Sequence, residues 1–400
     1  MTSIELLAPA GDLMRLKTAV NFGANAVYIG GKKFSLRSRA SNFDLDDIKA
    51  GAEYAHAFGA KLFVTINMIP HQEDLEGLKE YIISLDRAGV DAVIVASLYV
   101  AKVARVYSER MEVHLSTQLS STNAQSLRFY RSLGIDRVVL ARECSMEDVE
   151  EIAKLGIVPI EVFVHGGMCV NVSGRCTLSN YMTTRDANRG GCAQSCRWKY
   201  EVFSKDHALL SDESTLFSMS SKDLNAVTVM PRLLTSGVVS LKIEGRMKSE
   251  YYIATVVGAY RRLIDDLLAG KDRVESIQKA ANEIQRAENR ATFSGFYESV
   301  PSEEGHLYGA NGQPVTQEFV GTVVSYDPTT SLAKVQVRNH FEVGHTLEVF
   351  GPKLDHVRFV LKELVNSENE QVSRVYKPME IVTLKIPFEV SENDFIRRIA

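Results

Sequence analysis

One short junction recurs along the chain and constrains the fold more than any other feature. At each copy a helical segment ends at a glycine, a spacer follows, and an apolar run begins; the copies are FGANAVYIG (22–30), FGAKLFVTI (58–66), AGVDAVIVA (88–96), LGIDRVVLA (133–141), LGIVPIEVF (155–163) and SGVVSLKIE (236–244). A glycine just past a helix supplies the left-handed residue that ends it, and a short β-branched run is typical of a buried strand. Strands that alternate with helices predict βαβ units and a parallel sheet.

Two apolar runs without the glycine bring the expected number of parallel strands to eight. They are residues 4–10 and 112–118, and Asp12, Asp44 and Ser145 are plausible N-caps of the helices that follow strands. Eight βα units in about 270 residues match a TIM-type barrel in size and count. A doubly wound open sheet is the competing interpretation, although no G-x-G-x-x-G follows the first strand. We predict the α/β class, with a TIM-like (β/α)8 barrel in residues 1–305.

The hydrophobic period changes near the end of the chain. Two helical segments, residues 249–268 and 272–290, precede a predicted loop at residues 305–317. Beyond it, short runs such as EFVGTVVSY and LAKVQVRN alternate apolar and polar residues, which is typical of half-buried strands. This pattern predicts a small C-terminal antiparallel β-barrel domain in residues 316–400.

The spacing of the βα units breaks once, after the seventh strand. From His165 to about Lys222 the chain departs before the next helix begins, so we predict an insertion at about residues 167–222. It follows the C-terminal end of a strand, where barrel enzymes place their active sites. Long structured excursions inside compact domains tend to be functional.

The insertion holds four of the five cysteines, Cys169, Cys176, Cys192 and Cys196. The N-terminus lacks the pattern of a secretory signal, and charges interrupt the most apolar stretch, residues 88–107, so we expect a cytoplasmic protein that does not engage a membrane. Thiols stay reduced in that compartment, which makes disulfides the weakest interpretation. Two further alternatives are that one of the four cysteines is a catalytic nucleophile while the others have no role, or that the clustering has no functional meaning.

A metal site is the interpretation that the cysteine spacing favours. Four thiolates suit tetrahedral zinc or an iron–sulfur cluster. The six residues between Cys169 and Cys176 are many for a zinc knuckle, so the pattern leans towards iron–sulfur while zinc stays open. Cys144, which lies alone after the sixth strand, is expected to be a buried apolar residue.

The cysteines lie among basic and aromatic residues. Residues 169–200 carry a local net charge of +4, although the whole chain has a net charge of −4 and no general attraction for nucleic acid. Basic residues interleaved with aromatic ones resemble a platform for single-stranded nucleic acid. The alternative is a solvated loop with aromatic rings packed beneath it. The predicted substrate-binding residues of this platform are Arg175, Tyr181, Arg189, Arg197 and Trp198.

Polar residues follow most of the predicted barrel strands and should meet at one mouth. They are Asp12, Gly30, Asn67, Ser97, Ser116, Thr117, Gln118, Arg142, Glu143, His165, Glu244 and Arg246. A Cys–His nucleophile pair that includes His165 is conceivable, but a hydrogen-bonded structural histidine is the more ordinary outcome. Arg142 and Arg246 can clamp a carboxylate or a phosphate, or form salt bridges with the neighbouring glutamates.

Several motifs together resemble the peptidase U32 family, the collagenase-like proteases. They are ELLAPAGD, AVYIGG, EVFVHGGMCVNVSGRCTLS, NRGGCAQSCRWKY, SKDL, LKIEGRMKS and ATFSGFY, and the resemblance covers essentially the whole chain. It implies that the four clustered cysteines hold a [4Fe–4S] cluster. The resemblance also implies one of two activities, that of a peptidase or that of an oxygen-independent hydroxylase of RNA. A single U32 domain with this C-terminal extension resembles the hydroxylases of the family.

The hydroxylase interpretation assigns a role to each part of the predicted site. It implies 5-hydroxyuridine formation at the wobble position, with prephenate as hydroxyl donor and the tRNA anticodon region as partner. Arg142 and Arg246 would then hold the carboxylates of a small dicarboxylate donor, Glu244 and His165 would move protons, and Glu143 and Lys242 would complete the catalytic and binding groups. A collagenase-like peptidase and a non-catalytic RNA-binding protein are the alternatives, and a homo-oligomer or a paralogue partner is possible for any of them.

Overall fold

A computed structural model describes residues 4–36, 42–212, 216–287, 290–308 and 318–399 of the chain. It divides into two compact units, residues 1–313 and 314–400. No helix among the described residues is both long enough and apolar enough to cross a bilayer.

The first unit is built on a closed barrel of eight parallel strands. They are β1 (Glu5–Pro9), β2 (Ala26–Gly30), β3 (Lys61–Ile66), β4 (Ala92–Val95), β5 (Glu112–Leu115), β6 (Arg137–Val139), β7 (Ile160–Gly166) and β9 (Ser240–Ile243). Each strand pairs with the next, and β9 closes the ring because Leu241 lies opposite both Leu6 of β1 and Val162 of β7. All eight predicted strands are present, and the predicted TIM-like barrel is confirmed. The second unit, described below, completes the predicted fold class.

The described residues form ten helices, most of which follow a barrel strand, while one lies in the insertion. They are α1 (Leu13–Asn21), α2 (Leu45–Ala57), α3 (Leu78–Arg87), α4 (Leu98–Tyr107), α5 (Ala124–Ser132), α6 (Met146–Lys154), α7 (Leu178–Thr183), α8 (Met230–Thr235), α9 (Glu250–Leu268) and α10 (Arg273–Gln285). The three predicted N-caps are confirmed, since the side chains of Asp12, Asp44 and Ser145 each accept a backbone N–H from the first turn. The helix α10 ends at Gln285, five residues before the end of the predicted segment.

The insertion leaves the barrel after β7 and is mostly irregular. Besides α7 it contains three short 3₁₀ turns, Val172–Gly174, Ala187–Arg189 and Ser195–Arg197. Gly166 has φ +99°, and a Cβ there would lie 2.4 Å from the carbonyl oxygen of Glu244, so only glycine fits the exit from β7. The chain returns through β8 (Asp223–Asn225), which pairs antiparallel with β7, and β10 (Thr292–Phe293) adds to β8.

The barrel interior combines an apolar layer with a buried chain of charges. Lys242 Nζ lies 2.8 Å from Glu161 Oε1, and Arg137 bridges Glu161 at 3.2 Å and Glu5 at 2.5 Å. Burial opposes the ionisation of Glu161, but Lys242 and Arg137 outweigh it and lower the pKa of Glu161 to about 2. Each charge in this buried chain therefore has an opposite charge beside it.

The second unit is an antiparallel half-barrel. Its strands are β11 (Phe319–Asp327), β12 (Leu332–Val337), β13 (Phe341–Glu342), β14 (Thr346–Phe350), β15 (Val357–Val360), β16 (Leu364–Val365), β17 (Arg374–Val375), β18 (Ile381–Lys385) and β19 (Phe395–Arg398). Seven of them form one sheet in the order β15-β14-β19-β11-β12-β18-β16, and β13 pairs with β17. Alternate residues of the strands, such as Val335, Val337, Leu347 and Val349, are buried in a single core.

Candidate functional site

A cavity of about 390 Å³ lies at the C-terminal ends of the barrel strands, between the barrel and the insertion. The barrel contributes side chains that follow β3, β5, β6 and β9, as the mouth of a TIM barrel requires. The insertion contributes all four clustered cysteines. The predicted mouth residues that line the cavity are Asn67, Ser116, Thr117, Gln118, Arg142, Glu244 and Arg246.

All four clustered cysteines line this cavity. Burial raises the pKa of the Cys196 thiol, and the neighbouring thiols of Cys169, Cys192 and Cys176 raise it further, against the opposing charge of Arg197. Cys169 is exposed, and the other three are half-buried. Within the described ranges, no three His, Cys, Asp or Glu side chains are arranged so that they could hold a single metal ion.

The four thiols still form a donor set that suits an iron–sulfur cluster. Each cysteine of a [4Fe–4S] cluster binds a different iron, so its ligands stand farther apart than the ligands of one ion. The sulfur of Cys176 also accepts hydrogen bonds from Asn171 Nδ2 at 3.1 Å and from the backbone N–H of Leu178 at 3.3 Å. Such N–H donors stabilise the thiolate form that iron needs. By donor chemistry the residues fit the cluster.

Two arginines line the cavity, one from the barrel and one from the insertion. Arg142 comes from the barrel, after β6, and its guanidinium carbon lies 3.6 Å from the centre of the Phe163 ring. Arg197 comes from the insertion, beside Cys196, and its Nη2 lies close to Gly167. Among the described residues, neither guanidinium has a carboxylate within salt-bridge distance. Both are therefore available to an anion.

Arg246 is buried and held by neutral oxygen atoms. Its Nη1 donates to Ser35 Oγ at 2.9 Å and to Thr65 Oγ1 at 3.2 Å, and its Nη2 donates to Asn42 Oδ1 at 2.8 Å. The guanidinium lies over Gly30, where a Cβ would come within 2.0 Å of Nη2. A larger residue at this strand end would therefore displace the guanidinium group of Arg246. The side chain is fixed in place at the cavity wall.

A tyrosine holds the one glutamate that lines the cavity among the described residues. Tyr28 Oη donates to Glu244 Oε2 at 3.0 Å and also lies 3.0 Å from the carbonyl oxygen of Ile243. Burial raises the pKa of Tyr28 well above its ordinary value, and the charge of Glu244 raises it further, so the phenol keeps its proton. Glu244 therefore lines the cavity with one of its carboxylate oxygens held by a tyrosine.

Comparison with known sequences agrees with these features. The profile "Peptidase family U32" matches residues 11–307, and "Peptidase family U32 C-terminal domain" matches residues 315–397. The chain belongs to the peptidase U32 family.

Named relatives of this U32 chain differ in their activities. It is 40% identical over 398 residues to the tRNA hydroxylation protein P1 of Bacillus subtilis, covering 98% of this chain and 94% of that protein. It is 33% identical over 350 residues to the 23S rRNA 5-hydroxycytidine C2501 synthase of Escherichia coli, covering 86% of this chain and 50% of that protein. It is 31% identical over 394 residues to the collagenase of Porphyromonas gingivalis, covering 93% and 94%.

His165 occupies a different place in the U32 barrel from the one expected of a catalytic group. It is 2% exposed, is not among the residues that line the cavity, and packs against the rings of Tyr252 and Tyr260 on α9. The register of β7 against β9 shifts between Phe163 and His165, which breaks the alternation that would bring both side chains to the mouth. Burial, with a smaller contribution from the charge of Lys248, lowers the pKa of His165 to about 3, so the imidazole is neutral.

Two further predicted residues attach the insertion to the barrel. Glu143 accepts the backbone N–H of Ser173 at 2.7 Å. Arg189 donates to both Glu73 and Asp74 at 2.7 Å, in the segment that follows β3. These contacts hold the insertion over the mouth, and they occupy the charge of Arg189, which was predicted to bind substrate. Neither residue lines the cavity.

The remaining predicted substrate-binding residues divide between the cavity and the surface. Lys242 lines the cavity, but its ammonium is paired with Glu161. Tyr181 is 85% exposed and Trp198 is 43% exposed, and both lie outside the cavity lining, as does the exposed Arg175. The structure thus separates an inner anion site from an outer basic and aromatic surface.

The structure adds residues that sequence reasoning passed over. Lys248 lines the cavity two residues beyond Arg246, and burial lowers the pKa of its ammonium. Asp223, at the start of β8, lines the cavity too and is bridged by Arg290. Tyr28 could have been noticed as a hydroxyl inside an otherwise aliphatic strand. Lys248 could have been noticed from its place in the LKIEGRMKS motif.

Proposed function

We propose that this U32 chain hydroxylates RNA, and that its substrate is the wobble uridine of tRNA, which becomes 5-hydroxyuridine without molecular oxygen. The observation that carries the proposal is a single cavity that combines four thiols with Arg142 and Arg197. Such a site suits a redox-active cluster beside a small anionic co-substrate. The names of two relatives, a tRNA hydroxylation protein and an rRNA 5-hydroxycytidine synthase, support hydroxylation of RNA as the general activity.

The cofactor in this proposal is a [4Fe–4S] cluster held by Cys169, Cys176, Cys192 and Cys196. Its thiolate ligands would come from the four cysteines that line the cavity, and four thiolates are the usual ligand set of such a cluster. When bound, it would supply electron-transfer or Lewis-acid chemistry next to the substrates.

The hydroxyl donor in this proposal is a small dicarboxylate, with prephenate as the compound that the family resemblance implies. Guanidinium groups bind carboxylates through paired N–H donors, and Arg142 and Arg197 line the cavity from the barrel and from the insertion. A molecule with two carboxylates can therefore engage the barrel and the insertion together. Arg246 has a different role, because its donors already hold Ser35, Thr65 and Asn42 and shape the wall.

Glu244 is the proposed proton acceptor of the reaction. Replacing the hydrogen on C5 of uracil by a hydroxyl group requires that a proton leaves that carbon, and a carboxylate on the cavity wall can take it. The hydrogen bond from Tyr28 orients this carboxylate at the cavity wall. His165, buried and neutral among tyrosine rings, is not assigned a part.

The RNA in this proposal lies on the outer surface of the insertion. Trp198 and Tyr181 are exposed aromatic rings on which unpaired bases can stack, and Arg175 and Lys199 are exposed cations that can pair with phosphates. An anticodon loop presents unstacked bases of this kind. One base would then extend from this surface into the cavity.

The cavity gives no corresponding support to a peptidase. A Cys–His or Ser–His nucleophile requires an imidazole beside the nucleophile, and no histidine is among the described residues that line the cavity. The arrangement of charges also favours a small anion over a peptide backbone.

Nucleoside analysis tests the proposed function. The gene would be expressed in a bacterial strain that lacks its own 5-hydroxyuridine in tRNA, and the digested tRNA would be analysed by mass spectrometry. We expect the wild-type chain to restore 5-hydroxyuridine or its derivatives and the Cys196→Ala variant not to do so. Stable expression of the wild-type protein without any hydroxylated uridine would refute the proposal.

A further inference from the structure

The four clustered cysteines are not held alike. Cys176 Sγ accepts hydrogen bonds from Asn171 Nδ2 at 3.1 Å and from the N–H of Leu178 at 3.3 Å. Across the described part of the chain, no hydrogen bond reaches the sulfur of Cys169, Cys192 or Cys196. One ligand position therefore differs in its electrostatics from the other three.

The backbone of Cys176 is also held by hydrogen bonds. Its N–H donates to Asn188 Oδ1 at 3.3 Å, and its carbonyl oxygen accepts from Asn188 Nδ2 at 3.0 Å. Asn188 is in turn tied to the barrel, because its carbonyl oxygen accepts the N–H of Ile69 at 2.9 Å. The sulfur thus has a defined position, and the amide nitrogen of Asn171 lies 3.1 Å from it.

A hydrogen bond to a cluster thiolate changes the energy of the electron that the cluster holds. The N–H group withdraws charge from the sulfur and stabilises the reduced, more negative state more than the oxidised one. The Leu178 donor belongs to the backbone and is set by the fold. The Asn171 donor belongs to a side chain and can be altered without changing the backbone.

We infer that Asn171 is a positioning residue that donates to the thiolate of Cys176 and thereby raises the reduction potential of the proposed cluster. The inference rests on the proposed function, because it requires that the four cysteines hold the cluster. It adds that one side chain of the insertion sets how readily this cluster accepts an electron.

The test is an anaerobic redox titration of the full-length protein, with the reduced cluster followed by electron paramagnetic resonance. Asn171→Leu removes the donor and keeps the same branching and the same number of side-chain heavy atoms. Asn171→Asp keeps the shape, removes the donor and adds a negative charge. The matched control is Asn180→Asp, which adds the same charge in the same insertion, where the Asn180 side chain accepts the N–H of Ala187 and is hydrogen-bonded to no cysteine.

We expect both Asn171 variants to retain iron and sulfide and to titrate at a lower potential than the wild type. At a fixed potential the ratio of oxidised to reduced cluster should rise roughly tenfold in Asn171→Leu, which is the size expected for one lost hydrogen bond to a charged group. It should rise further in Asn171→Asp and stay near the wild-type value in Asn180→Asp. A purely structural role would change the cluster content and not the potential.

Three outcomes would overturn the inference. The first is an unchanged potential in both Asn171 variants, while wild-type tRNA hydroxylation persists, which leaves the proposed function standing. The second is loss of the cluster from both variants but not from Asn180→Asp, which makes Asn171 an assembly residue instead. The third is a wild-type protein that binds no cluster. Conversely, lowered potentials in a protein that never hydroxylates tRNA would support the inference and refute the proposed function.

Discussion

Lys242 and Glu161 form a salt bridge of 2.8 Å inside the barrel, with side chains 5% and 0% exposed. The pair joins the cavity to the barrel interior, because Lys242 lines the cavity and Glu161 also bridges Arg137. The carboxylate of Glu161 neutralises two cations, Lys242 and Arg137, that would otherwise be buried without an opposite charge. Its removal should therefore be costly.

Glu161→Gln should lower the free energy of unfolding by about 3–5 kcal/mol, the range for breaking one partner of a buried pair. The measurement is urea denaturation at neutral pH. The control is Glu150→Gln, which breaks the exposed pair with Arg232 and should have a much smaller effect. Equal losses in the two variants would contradict the structural role of Glu161.

The stabilisation by Glu161 should depend on pH in one direction. Its pKa is lowered in the folded protein from an ordinary 4.5 to about 2, so the folded state favours the ionised carboxylate. That contribution is complete above the unfolded pKa and is lost as the pH falls through the folded pKa. The stability difference between wild type and Glu161→Gln should therefore shrink as the pH falls from about 4.5 towards 2. A difference that grows on acidification would contradict this account.

Substitution of the two cavity arginines should weaken donor binding. Arg142→Ala and Arg197→Ala should each raise the KM for the dicarboxylate donor roughly tenfold to a hundredfold, as expected for a lost hydrogen bond to a charged group. Arg232→Ala, on the surface, is the control. Steady-state kinetics with purified protein and tRNA make the comparison, and an unchanged KM in both cavity variants would remove these arginines from the donor site.

Cluster content should depend on the four clustered cysteines and not on the fifth. Cys169→Ala, Cys176→Ala, Cys192→Ala and Cys196→Ala should each reduce bound iron and sulfide. Cys144→Ala should retain both, since Cys144 is buried behind the barrel strands and burial raises the pKa of its thiol to about 12. Iron and sulfide assays with an anaerobic absorbance spectrum provide the measurement. Zinc in place of iron, with a colourless protein, would contradict the proposed cofactor.

The outer surface should bind RNA without affecting the cavity. Trp198→Ala should weaken tRNA binding by about 1–3 kcal/mol, the usual range for one base stacked on an aromatic ring. Tyr376→Ala, a ring of 70% exposure in the C-terminal unit, is the matched control. Filter binding at one fixed salt concentration measures both. Equal affinity of Trp198→Ala and wild type would place the RNA elsewhere.

The barrel could be predicted because the signals that mark its helices and strands lie within short stretches of the sequence. Each junction places a glycine such as Gly23, at φ +98°, between a helix and a β-branched run, and that pattern is legible in one sequence. The strands β8 and β10 were not predicted, because a strand of two or three residues is too short to show an alternation of apolar and polar residues. The C-terminal strands could be predicted from the sequence. Whether their sheet closes into a barrel could not, because closure depends on pairing between segments that are distant in the chain.

The site was predictable in its cysteines and only partly in its charges. The clustering of four cysteines in one insertion is visible in the sequence. The pairing of Arg189 with Asp74, 115 residues earlier, is not. The position of His165 depends on a register shift of β7 that no pattern marks. Residue type indicated the kind of chemistry, and tertiary packing decided which charges remain available for it.

The most direct test of the central claim uses purified, cluster-containing protein in an oxygen-free chamber with unmodified tRNA and prephenate. After digestion, mass spectrometry measures 5-hydroxyuridine against time, with Cys176→Ala protein and a reaction without prephenate as controls. The account predicts that 5-hydroxyuridine accumulates only in the complete wild-type reaction. Absence of hydroxylated uridine from a reaction whose protein retains its cluster and binds tRNA would contradict it.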